Sequence, residues 1–314
     1  MYYDLVIIGG GPAGLTAAVY ASRARLKSLL IGSISVPSQA MLTEYIENYP
    51  GFPDGINGFE LLENFKRQAE VFGAESISGT VQKIEAFAEK DFKGWKIEAD
   101  GKAYISLSII IASGARPKRL NLPGEERLTG RGVSYCATCD AALYKNKDVV
   151  VIGGGDSAIE EALFLTKFVN KVSVIHRRDA LRATKVLQER AFGNKKIDFI
   201  WSSIVTEIIG GAKVSGLKIK NIKTDKETEL CCEGVFIFAG YVPNTDFAKG
   251  LLELDEEGYI ITDGNMATSK KGIFACGDCR KKLLRQVVTA CADGAIAAFS
   301  AQQYLEGLEA KKLC

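Results

Sequence analysis

Two unbroken apolar runs, each ending in three glycines, stand 144 positions apart in this chain. They are Asp4-Leu5-Val6-Ile7-Ile8-Gly9-Gly10-Gly11 and Asp148-Val149-Val150-Val151-Ile152-Gly153-Gly154-Gly155. After each turn, apolar residues recur at helical spacing: Leu15, Ala18, Val19 and Ala21 in the first copy, Ile159, Ala162, Leu163 and Leu165 in the second. A second apolar strand follows each helix, Ser28-Leu29-Leu30-Ile31 and Val172-Ser173-Val174-Ile175. The pattern predicts strand, tight turn, helix and parallel strand, twice over. Such units open doubly wound, Rossmann-like α/β domains.

Two more apolar runs end in small residues and lead into exit loops. Leu107 to Ala115 precedes Arg116-Pro117, and Gly234 to Gly240 precedes Tyr241-Val242-Pro243-Asn244. Placing the boundaries there predicts a middle domain over 117–245, inserted into a discontinuous outer domain formed by 1–116 and 246–314. Between Lys213 and Glu233 apolar and charged residues alternate, which predicts a meander of short exposed strands. The chain has no low-complexity segment and no long Pro or Ser linker.

With 314 residues there is enough chain for two domains, and 47% hydrophobic with 25% charged residues is a globular composition. A net charge of +2, from 40 basic and 38 acidic residues, gives no ground for a nucleic-acid or membrane-surface partner. The uncharged run Leu5 to Ser22 holds four glycines and a proline, so it reads as strand, loop and helix, not as a membrane span. Met1-Tyr2-Tyr3-Asp4 lacks the basic start of a secretion signal. These features predict a cytoplasmic protein, where eight cysteines are kept reduced unless they work as a redox or metal site.

The first turn is G-x-G-x-x-G at Gly9, Gly11 and Gly14, with Pro12 and Ala13 between. Placed between strand and helix, it predicts a dinucleotide pyrophosphate on backbone N–H groups. The second turn carries Gly153, Gly155 and Ala158, with Asp156 and Ser157. Where an NAD enzyme has a carboxylate at the end of the next strand, this chain has His176-Arg177-Arg178 and then Arg182. Guanidinium groups match a phosphate dianion in charge and forked shape, so NADPH is favoured over NADH.

Cys136-Ala137-Thr138-Cys139-Asp140 lies just ahead of the second turn. A structural zinc site needs four ligands. The other C-x-x-C, Cys276/Cys279, is separated from it by 136 intervening residues, and the one histidine falls in the arginine cluster. No metal is expected, and a redox disulfide is the better reading of Cys136 and Cys139. Asp140 is placed either to protonate a leaving thiolate or to cap a helix. Near the C-terminus, Gly277-Asp278 ends a strand and Arg285-Gln286-Val287 precedes a small-residue helix. That carboxylate suits a ribityl hydroxyl, and the helix start suits negative charge on a reduced flavin. Cys231, Cys232, Cys276, Cys279 and Cys291 read as core thiols, Cys276 and Cys279 also as a second redox pair, and Cys314 as exposed.

Taken together, these residues resemble the low-molecular-weight, bacterial-type thioredoxin reductases. The resemblance extends over nearly the whole chain. It rests on the two turns, Glu47-Asn48-Tyr49-Pro50-Gly51, the C-A-T-C-D motif, His176-Arg177-Arg178, Pro243-Asn244-Thr245, and Gly277-Asp278 with Arg285-Gln286. It implies a homodimeric flavoprotein with FAD in the split outer domain and NADPH in the middle one. Gln39, Asn48 and Gly114 join the flavin site on the same ground. Cys139 would face the flavin, and Cys136 would attack the disulfide of thioredoxin or a thioredoxin-like protein. The dithiol and the NADPH site share one domain but serve one flavin, which implies a hinge at Arg116-Pro117 and Gly240 to Asn244.

The chain departs from the family in Pro37-Ser38-Gln39, which keeps only the glutamine of Gly-Gly-Gln. It also has no carboxylate near Gly32 and Ser33, so either backbone or serine groups hold the adenosine ribose or FAD binds more weakly, and Tyr241 stands where histidine is common. A related flavoprotein serving a glutaredoxin-like or peroxiredoxin partner, or fed by ferredoxin, shares these motifs. A nucleotide-binding redox sensor without turnover is the non-enzymatic alternative.

Overall fold

The computed structural model describes residues 2–32, 38–43, 46–89 and 92–312; Ser33, Pro37 and Cys314 lie outside them. In chain order the first part contains β1 (Tyr2–Ile8), α1 (Pro12–Arg23), β2 (Ser28–Gly32), α2 (Gly58–Val71), β3 (Glu75–Ser78), β4 (Val81–Glu89), β5 (Phe92–Ala99) and β6 (Lys102–Ile111). The short strand β7 (Ala115–Pro117) follows. Next come α3 (Glu125–Leu128), β8 (Val133–Ser134), α4 (Ala137–Asp140), β9 (Asp148–Ile152), α5 (Asp156–Leu165), β10 (Lys171–Ile175), α6 (Lys185–Phe192) and β11 (Ile197–Ile200). The meander β12 (Ser203–Gly210), β13 (Val214–Asn221) and β14 (Glu227–Cys231) precedes β15 (Gly234–Ile237). Then β16 (Tyr241–Pro243), β17 (Ile273–Ala275) and α7 (Val287–Lys312) complete the chain.

The molecule divides into two compact units, Met1–Arg116 with Val242–Cys314, and Pro117–Tyr241. Residues 242–245, assigned from sequence to the middle unit, pack with the outer one. Asn244 donates to the Ser113 carbonyl at 3.0 Å, and Thr245 donates to that of Gly258 at 2.7 Å. β7 and β16 pair as a two-stranded ribbon.

The outer unit is built on a seven-stranded sheet of order β3-β2-β1-β6-β5-β4, with β17 pairing the far half of β6. Strands β1, β2 and β6 run parallel, and alternate residues feed opposite faces. Leu5, Ile7, Leu30 and Ile110 pack with Leu15 and Ala18 of α1 and Ala297 and Ala301 of α7. Val6, Ile8, Leu29, Ile31, Ile109 and Ile111 pack on Val81, Ile84, Ile97, Leu252 and Ile260. Both faces are covered, so these strands read as continuous apolar runs.

The middle unit repeats this plan. Its parallel sheet has the order β11-β10-β9-β15-β8. Val149, Val151, Val172, Val174 and Phe236 face α5 through Ile159, Ala162 and Leu165. Val150, Ile152, Ile175, Val235 and Ile237 face the meander through Val205, Ile208, Val214, Leu217 and Ile219. The meander predicted from Lys213 onward starts ten residues earlier, at Ser203.

Candidate functional site

The helix starts at the two glycine turns carry no side-chain cap. The helix α2 is capped by Asn57, whose side chain accepts from Phe59 and Glu60 N–H at 3.0 and 3.3 Å. In contrast, α1 and α5 are capped by Gly11 and Gly155 without any side-chain hydrogen bond. Their first-turn N–H groups are left for an outside acceptor, as a pyrophosphate site requires.

In the outer unit, Gly9 has φ +118°, and a Cβ there would run into the Ala112 carbonyl. The first turn is thereby pressed onto the end of β6, beside Ser113 and Gly114. Gly277 packs against Ala13, where a Cβ would stand 2.8 Å from the alanine methyl. Ser38 lies over Gly11, and Gln39 is one residue further. Asn48 donates to Gln286 at 3.0 Å, which ties its loop to the start of α7. The turn Gly9 to Gly14, Ser113-Gly114, Gly277-Asp278 and Asn48 with Arg285-Gln286-Val287 therefore converge.

This cradle fits a flavin nucleotide. Asp278 Oδ1 is buried without a hydrogen-bond partner among the described residues, and so is Arg285 Nε, whose guanidinium lies 4.0 Å over the Tyr259 ring. A buried acceptor and a buried donor of this kind call for a ligand hydroxyl and a ligand acceptor. Burial pushes the Asp278 carboxyl above its ordinary value, against the pull of Lys282 and Arg285, while Asp293 adds to the rise.

Sequence reasoning missed the support under Gly277-Asp278. Asp293 of α7, itself buried, accepts from Gly277 N–H at 3.1 Å, from Lys282 Nζ at 2.7 Å and from Arg280 Nη1 at 3.2 Å. Its one signal is an acidic residue inside the otherwise small and apolar first half of the helix, Val287 to Ala301.

In the middle unit, Arg182 N–H donates to the Gly154 carbonyl at 2.7 Å, and its guanidinium reaches within 4.0 Å of a Cβ placed on Gly155. Asp156 accepts from Thr184 N–H at 2.6 Å. Gly153, Gly155, Asp156, Ser157, Ala158 and Arg182 are thus gathered at the C-terminal end of the central strand β9. Arg177 and Arg178 are exposed at the end of β10 and form no ion pair among the described residues. His176 differs from its neighbours. It is buried, and its ring lies where any Cβ on Gly154 would collide with it. Burial first, then Arg182, Arg178 and Arg177, hold its pKa below the usual histidine value. It is a ring packed under the turn, and its Nε2 has no hydrogen-bond partner among the described residues.

Cys136 and Cys139 are joined in a disulfide spanning α4, with Cα atoms 5.4 Å apart. Cys136 occupies the N-cap position, and its Sγ accepts the Cys139 N–H at 3.1 Å. A hydrogen bond to sulfur favours the thiolate once the bond is reduced. Asp140 ends α4 and makes no capping bond to the turn that follows, Ala141–Tyr144. The helix-capping reading of Asp140 therefore has no support.

The remaining described cysteines are reduced. Cys276 and Cys279 are fully buried, and burial raises both thiols above the ordinary value. Neither has the exposure or thiolate character of a redox pair. Cys232 is pushed up to about 12 by burial, and Cys231 is exposed. Cys291 is half-buried, with Tyr49 Oη 3.9 Å from its sulfur.

The sequence signature of the pyridine nucleotide-disulphide oxidoreductases matches residues 3–294. The chain is similar to thioredoxin reductase of Peptoclostridium acidaminophilum, 48% identical with 97% of each chain covered. It is also similar to that of Bacillus subtilis (strain 168), 48% identical over 98% of this chain and 96% of the other. Its fold is similar to the crystal structure of Lactococcus lactis thioredoxin reductase in the FR conformation. That match has a TM-score of 0.93 at 46% identity and covers 97% of this chain and 99% of that one. With its two nucleotide turns, its C-x-x-C disulfide and these relatives, the chain belongs to the pyridine nucleotide-disulphide oxidoreductase family.

Proposed function

We propose that the protein is an NADPH-dependent thioredoxin-disulfide reductase. The observation that carries this reading is the formed Cys136–Cys139 disulfide beside Asp140, in a chain with two separate dinucleotide turns. FAD and NADPH are the cofactors of this reaction. When bound, FAD supplies the two-electron relay between nicotinamide and sulfur that no side chain can provide. Gly9 to Gly14, Gly114, Asp278 and Arg285 to Val287 would hold it, with Gln39 and Asn48. Gly153 to Ala158 with Arg177, Arg178 and Arg182 would hold NADPH, the arginines taking its 2′-phosphate.

The Cys136–Cys139 bond takes up an electron pair and two protons and opens to two thiols, with Asp140 as the proton donor to a leaving thiolate. Cys136 is the better nucleophile, because the Cys139 N–H favours its thiolate. Its Sγ bonds to one sulfur of the partner disulfide while the other partner sulfur departs and is protonated. Cys139 Sγ then attacks Cys136 Sγ, restores the internal bond and releases the second partner thiol. Because both sites on the middle unit must serve one flavin, the reading includes a rotation about the connecting ribbon.

Homodimerisation and a cytoplasmic setting belong to the same reading. Tyr20 of α1 and Ile296 and Phe299 of α7 are exposed apolar side chains on two helices that pack together, which suits a second copy of the chain. Among the described residues no helix is long and apolar enough to cross a membrane. The test is an assay of the purified protein with NADPH and an oxidised thioredoxin, following new thiols. Thiol release that depends on thioredoxin supports the reading. Release only with a glutaredoxin or peroxiredoxin, or only with reduced ferredoxin as donor, replaces it with the related flavoprotein.

A further inference from the structure

The residue before Cys136 is anchored to a buried carboxylate that the reaction does not use. Tyr135 donates its hydroxyl to Glu125 Oε1, and Glu125 is only 2% exposed. The same carboxylate accepts the N–H groups of Leu120 at 3.0 Å and Leu122 at 2.9 Å. Residues 117–124 are the segment by which the chain first passes into the middle unit, and Pro123 is itself fixed by the Ile208 N–H at 2.9 Å. One carboxylate therefore ties this incoming segment to Tyr135, the residue between β8 and Cys136. Burial and then Glu125 push the Tyr135 phenol well above its ordinary value, so it stays a donor at physiological pH.

The anchoring extends to Cys136. Ser134 Oγ accepts the Cys136 N–H at 3.0 Å and donates to its carbonyl at 3.1 Å. Beyond Cys136 lies α4, a single short turn whose covalent brace is the disulfide itself. When that bond opens, Cys136 keeps its N-terminal ties, the Cys139 N–H at its sulfur and the buried Ala137 beside it, but loses the covalent brace. Re-closure by Cys139 depends on the effective concentration of one sulfur at the other, and that depends on how firmly the backbone is held.

We propose that Glu125 is a positioning residue for disulfide exchange. Through Tyr135 it clamps the link between β8 and Cys136 to the incoming segment, so that Cys136 Sγ keeps its place while the internal bond is open. This rests on the thioredoxin-disulfide reductase reading.

The test compares the holoenzyme with Tyr135→Phe, Glu125→Gln and the double variant. The first readout is the midpoint potential of the Cys136/Cys139 couple, obtained by equilibration in glutathione buffers with thiol counting. Each tenfold loss of effective concentration makes the couple more oxidising by about 30 mV. Tyr135→Phe is expected to shift it by roughly that amount. Glu125→Gln is expected to shift it at least as far, with the double variant no further than Glu125→Gln alone. The second readout is turnover with thioredoxin, where kcat should fall while KM and flavin reduction by NADPH stay unchanged. An unshifted potential in Tyr135→Phe, or additive shifts in the double variant, overturns the proposal even if thermal stability falls. If Glu125→Gln does not fold, the Tyr135→Phe potential decides alone. Failure of the wild-type protein to reduce thioredoxin would instead count against the function, and the potential would still report on Glu125.

Discussion

The N–H of Cys139 points at the sulfur of Cys136, 3.1 Å away, so the two cysteines of the disulfide are chemically unequal. The sulfur that receives this hydrogen bond becomes the better thiolate after reduction. Cys136→Ser should abolish thioredoxin reduction and leave flavin reduction by NADPH intact. Stopped-flow absorbance at the flavin band and a thioredoxin assay separate the two steps. Loss of both would contradict the assignment. In the reduced wild-type enzyme, peptide mapping after brief alkylation should find the label first on Cys136.

Arg177 and Arg178 stand exposed and without ion pairs among the described residues at the end of β10, where a 2′-phosphate would lie. Replacing both with neutral residues should weaken NADPH by about tenfold or more and change NADH little. Titrating binding of each nucleotide checks this, and equal losses would remove the phosphate role.

Asp278 carries a buried, unpartnered oxygen and a pKa raised above its ordinary 3.8. The sign follows from linkage. A carboxyl with a raised folded pKa adds stability that is fully present below its unfolded pKa. That stability is lost as pH rises from there through the folded value. In the FAD-free protein, Asp278→Asn should remove this acid-side dependence and raise the melting temperature at neutral pH. The same change should weaken FAD retention. Thermal melts of the FAD-free forms across pH, with FAD titration, check both signs.

Asp293 is the one acceptor shared by Lys282 and Arg280, whose side chains are only 7% and 13% exposed. Asp293→Asn should cost roughly 3–5 kcal/mol, because it leaves buried cations without their counter-charge. Denaturant unfolding followed by flavin release should show the loss in the outer unit. Unchanged stability would mean the cations find other partners.

The two βαβ openings, the glycine turns and the dithiol were legible in the sequence because each leaves a continuous signal. Strands covered on both faces are apolar throughout, and a pyrophosphate turn is written in consecutive residues. The strands β4 and β12 were not legible, for a shared reason. Each has a register shift, between Val81 and Lys83 and between Val205 and Glu207. The shift puts the buried pairs Val81/Ile84 and Val205/Ile208 three residues apart and breaks the period of two. Asp293 was hidden because its partners lie in a preceding loop and their meeting depends on the fold. The burial of His176 beneath the second turn was hidden as well. Sequence shows a basic run, and only packing against Gly154 shows that one member is buried.

The central claim is that electrons pass from NADPH through flavin to the Cys136–Cys139 disulfide. Anaerobic titration of the FAD-loaded protein with NADPH, following flavin absorbance and free thiols together, tests it most directly. The account predicts uptake of two electron pairs per chain, one opening the disulfide and one bleaching the flavin, with NADPH strongly preferred to NADH. Bleaching with a single pair and no new thiols, or no bleaching with either nucleotide, would contradict it.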